Sequence, residues 1–213
     1  MRALNPSSPA ADPGAIVAGN VYPKYTTRNP LARLLVANFM STLRQLVSTS
    51  RAREIHEVGC GEGYLSLMLA AEGLRVRGSD RSPEVVSEAR RQAAARGLAV
   101  AFEVADLYGL EPGRDGAELV LCCEVLEHLP DPGRALQTLA ALARPFLILS
   151  APREPLWRAL NLARGRYWRD LGNTPGHLQH WSTPAFLALL EEHLCLVELC
   201  TPFPWTMALC RAR

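Results

Sequence analysis

At 213 residues, with 48% hydrophobic and 21% charged side chains, the chain has the makeup of a single globular unit around one sizeable core. Its net charge of +2 provides no global field for nucleic acid or an anionic membrane. The opening MRALNPSSPAADPG lacks the apolar core of a secretory signal, and no apolar run is long enough to span a bilayer, so a cytoplasmic protein is expected.

Residues 1–20 are rich in Pro, Ala and Ser and read as a tail, leaving 21–213 as one domain. An N-terminal helical segment occupies 21–50. Asn29 caps it, Pro30 takes its first position, and Leu31, Leu34, Leu35, Phe39, Leu43 and Leu46 form one apolar stripe. The core, 51–150, alternates strand and helix patterns. REIHEVG is followed by a helix at Tyr64–Ala71, then the strand LRVRGSD. Next comes a helix capped by Ser82, opened by Pro83 and closed by Gly97. AVAFEVAD, an acidic loop, AELVLCCE, the helix DPGRALQTLAALAR and the strand PFLILSAP complete it. Such alternation predicts a parallel sheet with helices on both faces. Residues 152–181 form an insert rich in Trp, Tyr, Arg and His. Residues 182–213 hold a capped helix and two strands split by PFPW, which predict an antiparallel pair at the sheet edge. The cysteines, at 60, 122, 123, 195, 200 and 210, show no metal-binding spacing and read as packed, reduced thiols.

Ligands of open α/β sheets bind beyond the carboxyl ends of the strands. In order, those ends carry Glu57-Val-Gly-Cys-Gly-Glu-Gly63, Asp80, Asp106-Leu107, Cys123-Glu124 and Ser150-Ala-Pro152. Glycines at 59, 61 and 63 after a strand suit a tight turn approached closely by a ligand. A dinucleotide fingerprint would place the third glycine one residue later and leaves Glu57 unexplained. Asp80 suits a ribose diol, since one carboxylate accepts from both hydroxyls. Asp106 suits an exocyclic adenine amine, with Leu107 adding a backbone donor and an apolar wall.

This set resembles the class I S-adenosylmethionine-dependent methyltransferases from about Glu54 to the C-terminus. EVGCGEG looks like the first motif of that family, Asp80 like its second-strand acid and ADL like its adenine-side motif. CCEVLEHLPDP is similar to the segment after the fourth strand in the ubiquinone-biosynthesis O-methyltransferase type of small-molecule enzyme. The resemblance implies a Rossmann-like, doubly wound, seven-stranded α/β sheet, mostly parallel with a reversed edge strand. It implies S-adenosyl-L-methionine as cofactor, with Glu57, Gly59, Cys60, Gly61 and Gly63 around its methionine part. Asp80 with Arg81 would serve the ribose, Asp106 and Leu107 the adenine, and Cys123 with Glu124 the sulfonium side. The expected reaction is methyl transfer to a small-molecule acceptor, foremost a hydroxyl. An RNA methyltransferase and a catalytically silent cofactor-fold binding protein are the alternatives, although no basic stripe or added domain argues for nucleic acid.

A hydroxyl acceptor must lose a proton, which calls for a base or a metal. In EVLEHL, Glu124 and His128 lie four residues apart and share a face if the segment is helical; both are candidate catalytic groups. E-x-x-E-H segments resemble metal-binding sequences in some ubiquinone-pathway and small-RNA O-methyltransferases, where a later histidine completes the site. On that resemblance Glu124, Glu127 and His128, with His177 or His180 from TPGHLQHWS, would hold a divalent cation such as Mg²⁺; His177 has the more similar distance to the downstream Pro. A His128 base without metal is the competing expectation. The insert carries Arg153, Arg158, Arg164, Arg166 and Arg169 beside Trp157, Leu160, Leu162, Tyr167 and Trp168. Three readings stay open for it: an acceptor lid, a peripheral membrane contact, or packing of Trp157 and Leu160 against Leu31 and Leu35. VYPKY is a second expected lid element, with Tyr22 and Tyr25 closing over the cofactor. Oligomeric state is not assigned.

Overall fold

The computed structural model describes residues 29–213, so the expected tail and the Tyr22–Tyr25 lid lie outside the described residues. Helix α1 (Pro30–Ser50) starts where Asn29 accepts a hydrogen bond from the Ala32 amide and Pro30 needs no amide partner. The stripe holds from Phe39 through Leu43, Leu46 and Val47, which are buried. Leu31 and Leu34 depart from expectation at 64% and 66% exposed. Leu35 is the first residue of the helix to reach the core cluster, so those two leucines precede the stretch that packs on the sheet.

The strands are β1 (Glu54–Val58), β2 (Arg75–Asp80), β3 (Ala101–Val104), β4 (Ala117–Cys123), β5 (Ala143–Pro152), β6 (Leu194–Cys200) and β7 (Trp205–Ala212). They form one seven-stranded sheet in the order β3-β2-β1-β4-β5-β7-β6. β1 to β5 pair in parallel, and β7 runs antiparallel between β5 and β6. The reversed pair therefore sits at one edge, with β6 outermost. The intervening helices are α2 (Tyr64–Ala71), α3 (Pro83–Ala95), the single turn α4 (Pro112–Asp115), α5 (Pro132–Leu142), α6 (Leu156–Ala163) and α7 (Thr183–Glu191). Ser82, Asp131 and Ser182 each cap a helix through the side chain, as their positions before Pro or Thr-Pro predict.

Two faces of the sheet bury different residues of the same strands. Leu119, Leu121 and Cys123 of β4 join Phe39, Leu43, Leu65, Leu69, Met207 and Leu209 on the α1–α2 side. Val120 and Cys122 join Leu136, Leu139, Phe186, Leu190 and Ala208 on the α5–α7 side. A strand buried on both faces reads as an unbroken apolar run, which is why LVLCC shows no alternation. All six cysteines are free thiols; Cys60, Cys122, Cys123 and Cys210 are buried, and Cys195 is exposed. Among the described residues no helix is long and apolar enough to cross a membrane.

Candidate functional site

The chain order of the strands reverses between β1 and β4, which are direct neighbours. Segments leaving their carboxyl ends diverge to opposite sides and open a crevice there. The segment after β1 is the glycine turn. Gly59, Gly61 and Gly63 have φ of +76°, +51° and +78°. Their crowding differs. A Cβ on Gly59 would lie 2.4 Å from Val125 Cγ2, and one on Gly63 would lie 2.7 Å from Phe102 Cζ. A Cβ on Gly61 would meet nothing within 4 Å. Gly59 and Gly63 thus let neighbouring elements close in, whereas Gly61 borders open space at the crevice.

The turn is braced from beneath. Gly59 and Cys60 amides donate to the Ser79 carbonyl at 2.8 and 3.0 Å. Glu57 is buried, and its Oε2 accepts from the Ser66 amide at 2.8 Å and from the Ser66 hydroxyl. A carboxylate at the first turn of α2 also meets the positive end of the helix dipole. Through these bonds Glu57 ties the end of β1 to the start of α2 and so orients the turn between them. The Cys60 thiol is pushed far up by burial, then by Glu57 and Asp80, so it lines the turn as an apolar group.

Asp80 ends β2 and takes the Gly61 amide on Oδ2 and the Ser82 amide on Oδ1, both at 3.0 Å. Each oxygen keeps a second lone-pair direction. Asp80 therefore links the glycine turn to the N-terminus of α3, at the side of the crevice where Gly61 is open. Arg81 beside it is exposed. Asp106 is exposed and caps a 3₁₀ turn at Leu107–Gly109 through the Tyr108 amide, and Leu107 is buried.

Across the crevice, β4 ends at Cys123, and Glu124 takes a left-handed φ of +60°. Non-glycine residues adopt that conformation at a cost of about 1–2 kcal/mol, and such positions gather at functional sites. The Glu124 amide donates to the Ser150 carbonyl at 3.2 Å. Its side chain accepts from Trp205 Nε1 at 2.6 Å and from the Ser150 hydroxyl at 3.3 Å.

One turn later the structure brings three predicted ligands together. Single ligand atoms of Glu127, His128 and His177 lie within 4.8 Å of one another, with Glu127 1% and His177 8% exposed. The segment Leu126–His128 is a 3₁₀ turn rather than α-helix, so Glu124 is not presented on the face of His128 as helical spacing would have it. Glu124 is not among these three residues. His177 arrives from 50 residues downstream because the insert is stitched to this turn: Leu178 and Gln179 amides both donate to the Glu127 carbonyl, at 2.8 and 3.0 Å. His180 points elsewhere, bonding Asn173 at 2.7 Å. His128 Nδ1 lies 2.9 Å from the Gly176 carbonyl. A carbonyl only accepts, so Nδ1 carries the hydrogen and the neutral ring has its lone pair on Nε2.

The insert is itself a folded piece. Buried Asn161 of α6 donates to the Gly172 carbonyl and to Thr174 Oγ1, and Trp157 Nε1 also donates to Thr174 Oγ1. Trp157 packs with the α1 side of the core alongside Leu35, whereas Trp168 is 65% exposed and Leu31 is exposed. Trp157 and Leu35 thus both pack against the cluster that buries Phe39 and Leu43 of α1, and the expected contribution of Leu31 is absent. Ser150 stands in the strand-end series without a role of its own, and Ser66 and Trp205 carry no signal in the sequence beyond lying two residues into a helix and at the first residue of a reversed strand.

Residues 55–145 match the family described as methyltransferase domain. The ubiquinone biosynthesis O-methyltransferase of Coxiella burnetii is 34% identical over 97 residues, covering 46% of this chain and 42% of that protein. The protein of the same name from Xanthomonas euvesicatoria is 33% identical over 137 residues, covering 62% and 57%. The chain thus spans about half the length of the curated relatives it matches. In fold it is similar to magnesium protoporphyrin IX methyltransferase from Synechocystis with bound SAH, at TM-score 0.66 and 22% identity over 88% of this chain and 89% of that one. The methyltransferase domain of bacterial CtHen1 superposes at TM-score 0.63 and 19% identity, covering 83% and 99%.

Proposed function

We propose that this chain, whose residues 55–145 match a methyltransferase domain, moves the methyl group of S-adenosyl-L-methionine onto a hydroxyl of a small-molecule acceptor. The observation that carries the hydroxyl assignment is the cluster of Glu127, His128 and His177 at the end of β4, beside the mouth where a methyl would emerge. The curated relatives named O-methyltransferases support the same reading. The cofactor would lie along the crevice, its amino-acid end over Gly61, its ribose diol on the remaining lone pairs of Asp80, and its adenine between Asp106 and Leu107. Cys123 and Glu124 would face the sulfonium, where a carboxylate offsets its positive charge.

Methyl transfer from a sulfonium is an in-line displacement by a donor already activated, so alignment supplies much of the rate. The remaining task is the acceptor proton. His128 Nε2 is oriented for it by the Nδ1 bond to Gly176. The same three side chains also fit a divalent cation, and two imidazoles with one carboxylate suit Mn²⁺ or Zn²⁺ better than Mg²⁺. Bound there, such an ion would lower the pKa of an acceptor hydroxyl. The insert is proposed as the acceptor side of the pocket, since its own loop supplies His177.

The test is incubation with methyl-labelled cofactor and fractions of a small-molecule extract, with and without chelator, followed by identification of the labelled product. A labelled methyl ether supports the reading, and a methyl ester, which marks a carboxylate acceptor, does not. Label found only on nitrogen, on sulfur or in RNA overturns the hydroxyl assignment.

A further inference from the structure

β7 runs opposite to the parallel strands, so its first residue lies at the edge where they end: Trp205 pairs with Pro152, the last residue of β5. From there the buried Trp205 ring reaches two parts of the mouth. Its Nε1 donates to Glu124 Oε2 at 2.6 Å, while Ser150 Oγ donates to Oε1 at 3.3 Å. With a donor on each oxygen, the carboxylate plane is fixed. Its ring lies 5.7 Å from Trp157, Trp157 stacks on His177 at 6.4 Å and 20°, and His177 meets His128 edge-on at 4.9 Å. On the far side Phe39 of α1 abuts Trp205 at 5.1 Å.

We infer that Trp205 is a positioning residue for the mouth: its indole N–H holds the Glu124 side chain aimed, and its ring, through Trp157, holds His177 against His128. The inference rests on the reading of this mouth as the transfer site. An indole N–H can only donate, and a carboxylate offers only acceptors, so the bond fixes which oxygen faces the ring. Core packing alone would be served as well by phenylalanine, which fills much of the same space without the donor. The N–H therefore separates the two roles.

The experiment uses the full chain labelled with ¹⁵N, whose four tryptophans give four indole signals. Trp205→Phe assigns one of them by its loss. The Trp205 signal is expected to shift clearly in Glu124→Gln; a signal indifferent to Glu124→Gln overturns the inference. Mn²⁺ serves as the second probe. Trp205→Ala, which removes the ring that backs Trp157, is expected to weaken Mn²⁺ binding about tenfold, within the 10–100-fold range for partners that orient a metal site, with binding of S-adenosylhomocysteine within twofold of the parent. Equal loss of Mn²⁺, S-adenosylhomocysteine and thermal stability would mean packing alone and would overturn it. A parent protein that binds no Mn²⁺ contradicts the cation in the proposed function, and the indole signal still decides the role of Trp205.

Discussion

Gly59 and Val125 meet across the crevice, so closely that a Cβ on the glycine would sit 2.4 Å from the valine Cγ2. One residue follows β1 and the other follows β4, so this contact sets the spacing of the two loops that would hold cofactor and acceptor. Gly59→Ala adds both the clash and a left-handed φ of +76°. The expected cost is about 1–3 kcal/mol of folding stability together with loss of cofactor binding. Gly61→Ala has no clash and should cost only about 1 kcal/mol through its φ, yet it should also weaken S-adenosylhomocysteine because its methyl enters the open approach. Chemical denaturation and calorimetry on the two variants check the pair. An intact affinity in Gly61→Ala would remove that position from the cofactor path.

Asp80→Ala should weaken S-adenosylhomocysteine by about 1.5–3 kcal/mol, the scale of charge-assisted hydrogen bonds to a diol. It also removes acceptors for the Gly61 and Ser82 amides. Asp80→Asn, which keeps one acceptor oxygen, should retain more stability than affinity. Calorimetry beside thermal melting separates the two losses, and unchanged affinity in both variants would take Asp80 out of the ribose site.

His177→Ala and His180→Ala should behave differently although the residues are three apart. His177 belongs to the cluster with Glu127 and His128, while His180 bonds Asn173 at the surface. If a cation works there, chelation should abolish turnover, Mn²⁺ should restore it, and His177→Ala should mimic chelation. If His128 acts alone, turnover should ignore chelators and disappear in His128→Ala. His180→Ala should leave turnover near the parent value in either case, as measured with the labelled cofactor.

Trp157→Ala and Trp168→Ala form another contrast within the insert. Trp157 packs in the core and donates to Thr174, so its loss should lower the melting temperature and acceptor binding together. Trp168 is solvent-exposed, so its loss should spare stability and affect acceptor KM alone if it touches the acceptor. Melting curves and acceptor kinetics distinguish them.

Acid should destabilise the protein through His56. This residue is buried in β1, with Nδ1 on the Asp115 carbonyl at 2.8 Å and Nε2 on Ser79 Oγ at 2.9 Å. Burial lowers its pKa below the ordinary 6.5; the Asp115 carbonyl opposes this, Arg77 adds to the lowering, and the Asp115 and Glu103 charges oppose it. Below that ordinary value the unfolded chain takes a proton that the folded chain refuses. Stability should therefore fall as pH drops through the ordinary histidine range and level off below the lowered pKa. Denaturant titrations across that range should show the slope, and His56→Gln should flatten it.

Much of this molecule is written in local pattern. Asn29-Pro30, Ser82-Pro83 and the helix at Tyr64–Ala71 appear where caps and periodicity place them, because capping chemistry acts within one turn. The strand-end acids follow from the parallel topology, which puts successive carboxyl ends on one edge. What the sequence hides is long-range. Nothing near Leu31 or Leu34 says that packing on the sheet begins only at Leu35. Nothing near Glu124 announces a tryptophan 81 residues away as its donor. The choice of His177 over His180 was legible as spacing, but its cause, two amides donating to the Glu127 carbonyl, is a tertiary contact with no local signature.

The insert is fastened at both ends by main-chain bonds, to which the Gln179 and His128 side chains add bonds to the Leu129 and Gly176 carbonyls. Glu154 and Trp181 are joined by an amide-to-carbonyl bond at its base, and Leu178 and Gln179 hold the Glu127 carbonyl at its tip. Main-chain fastenings ask nothing of side-chain identity. Residues 168–170, exposed between the fastenings, can therefore be regrafted while His177 keeps its address. A laboratory library confined to that stretch would diversify the rim facing solvent without disturbing the imidazole beneath it.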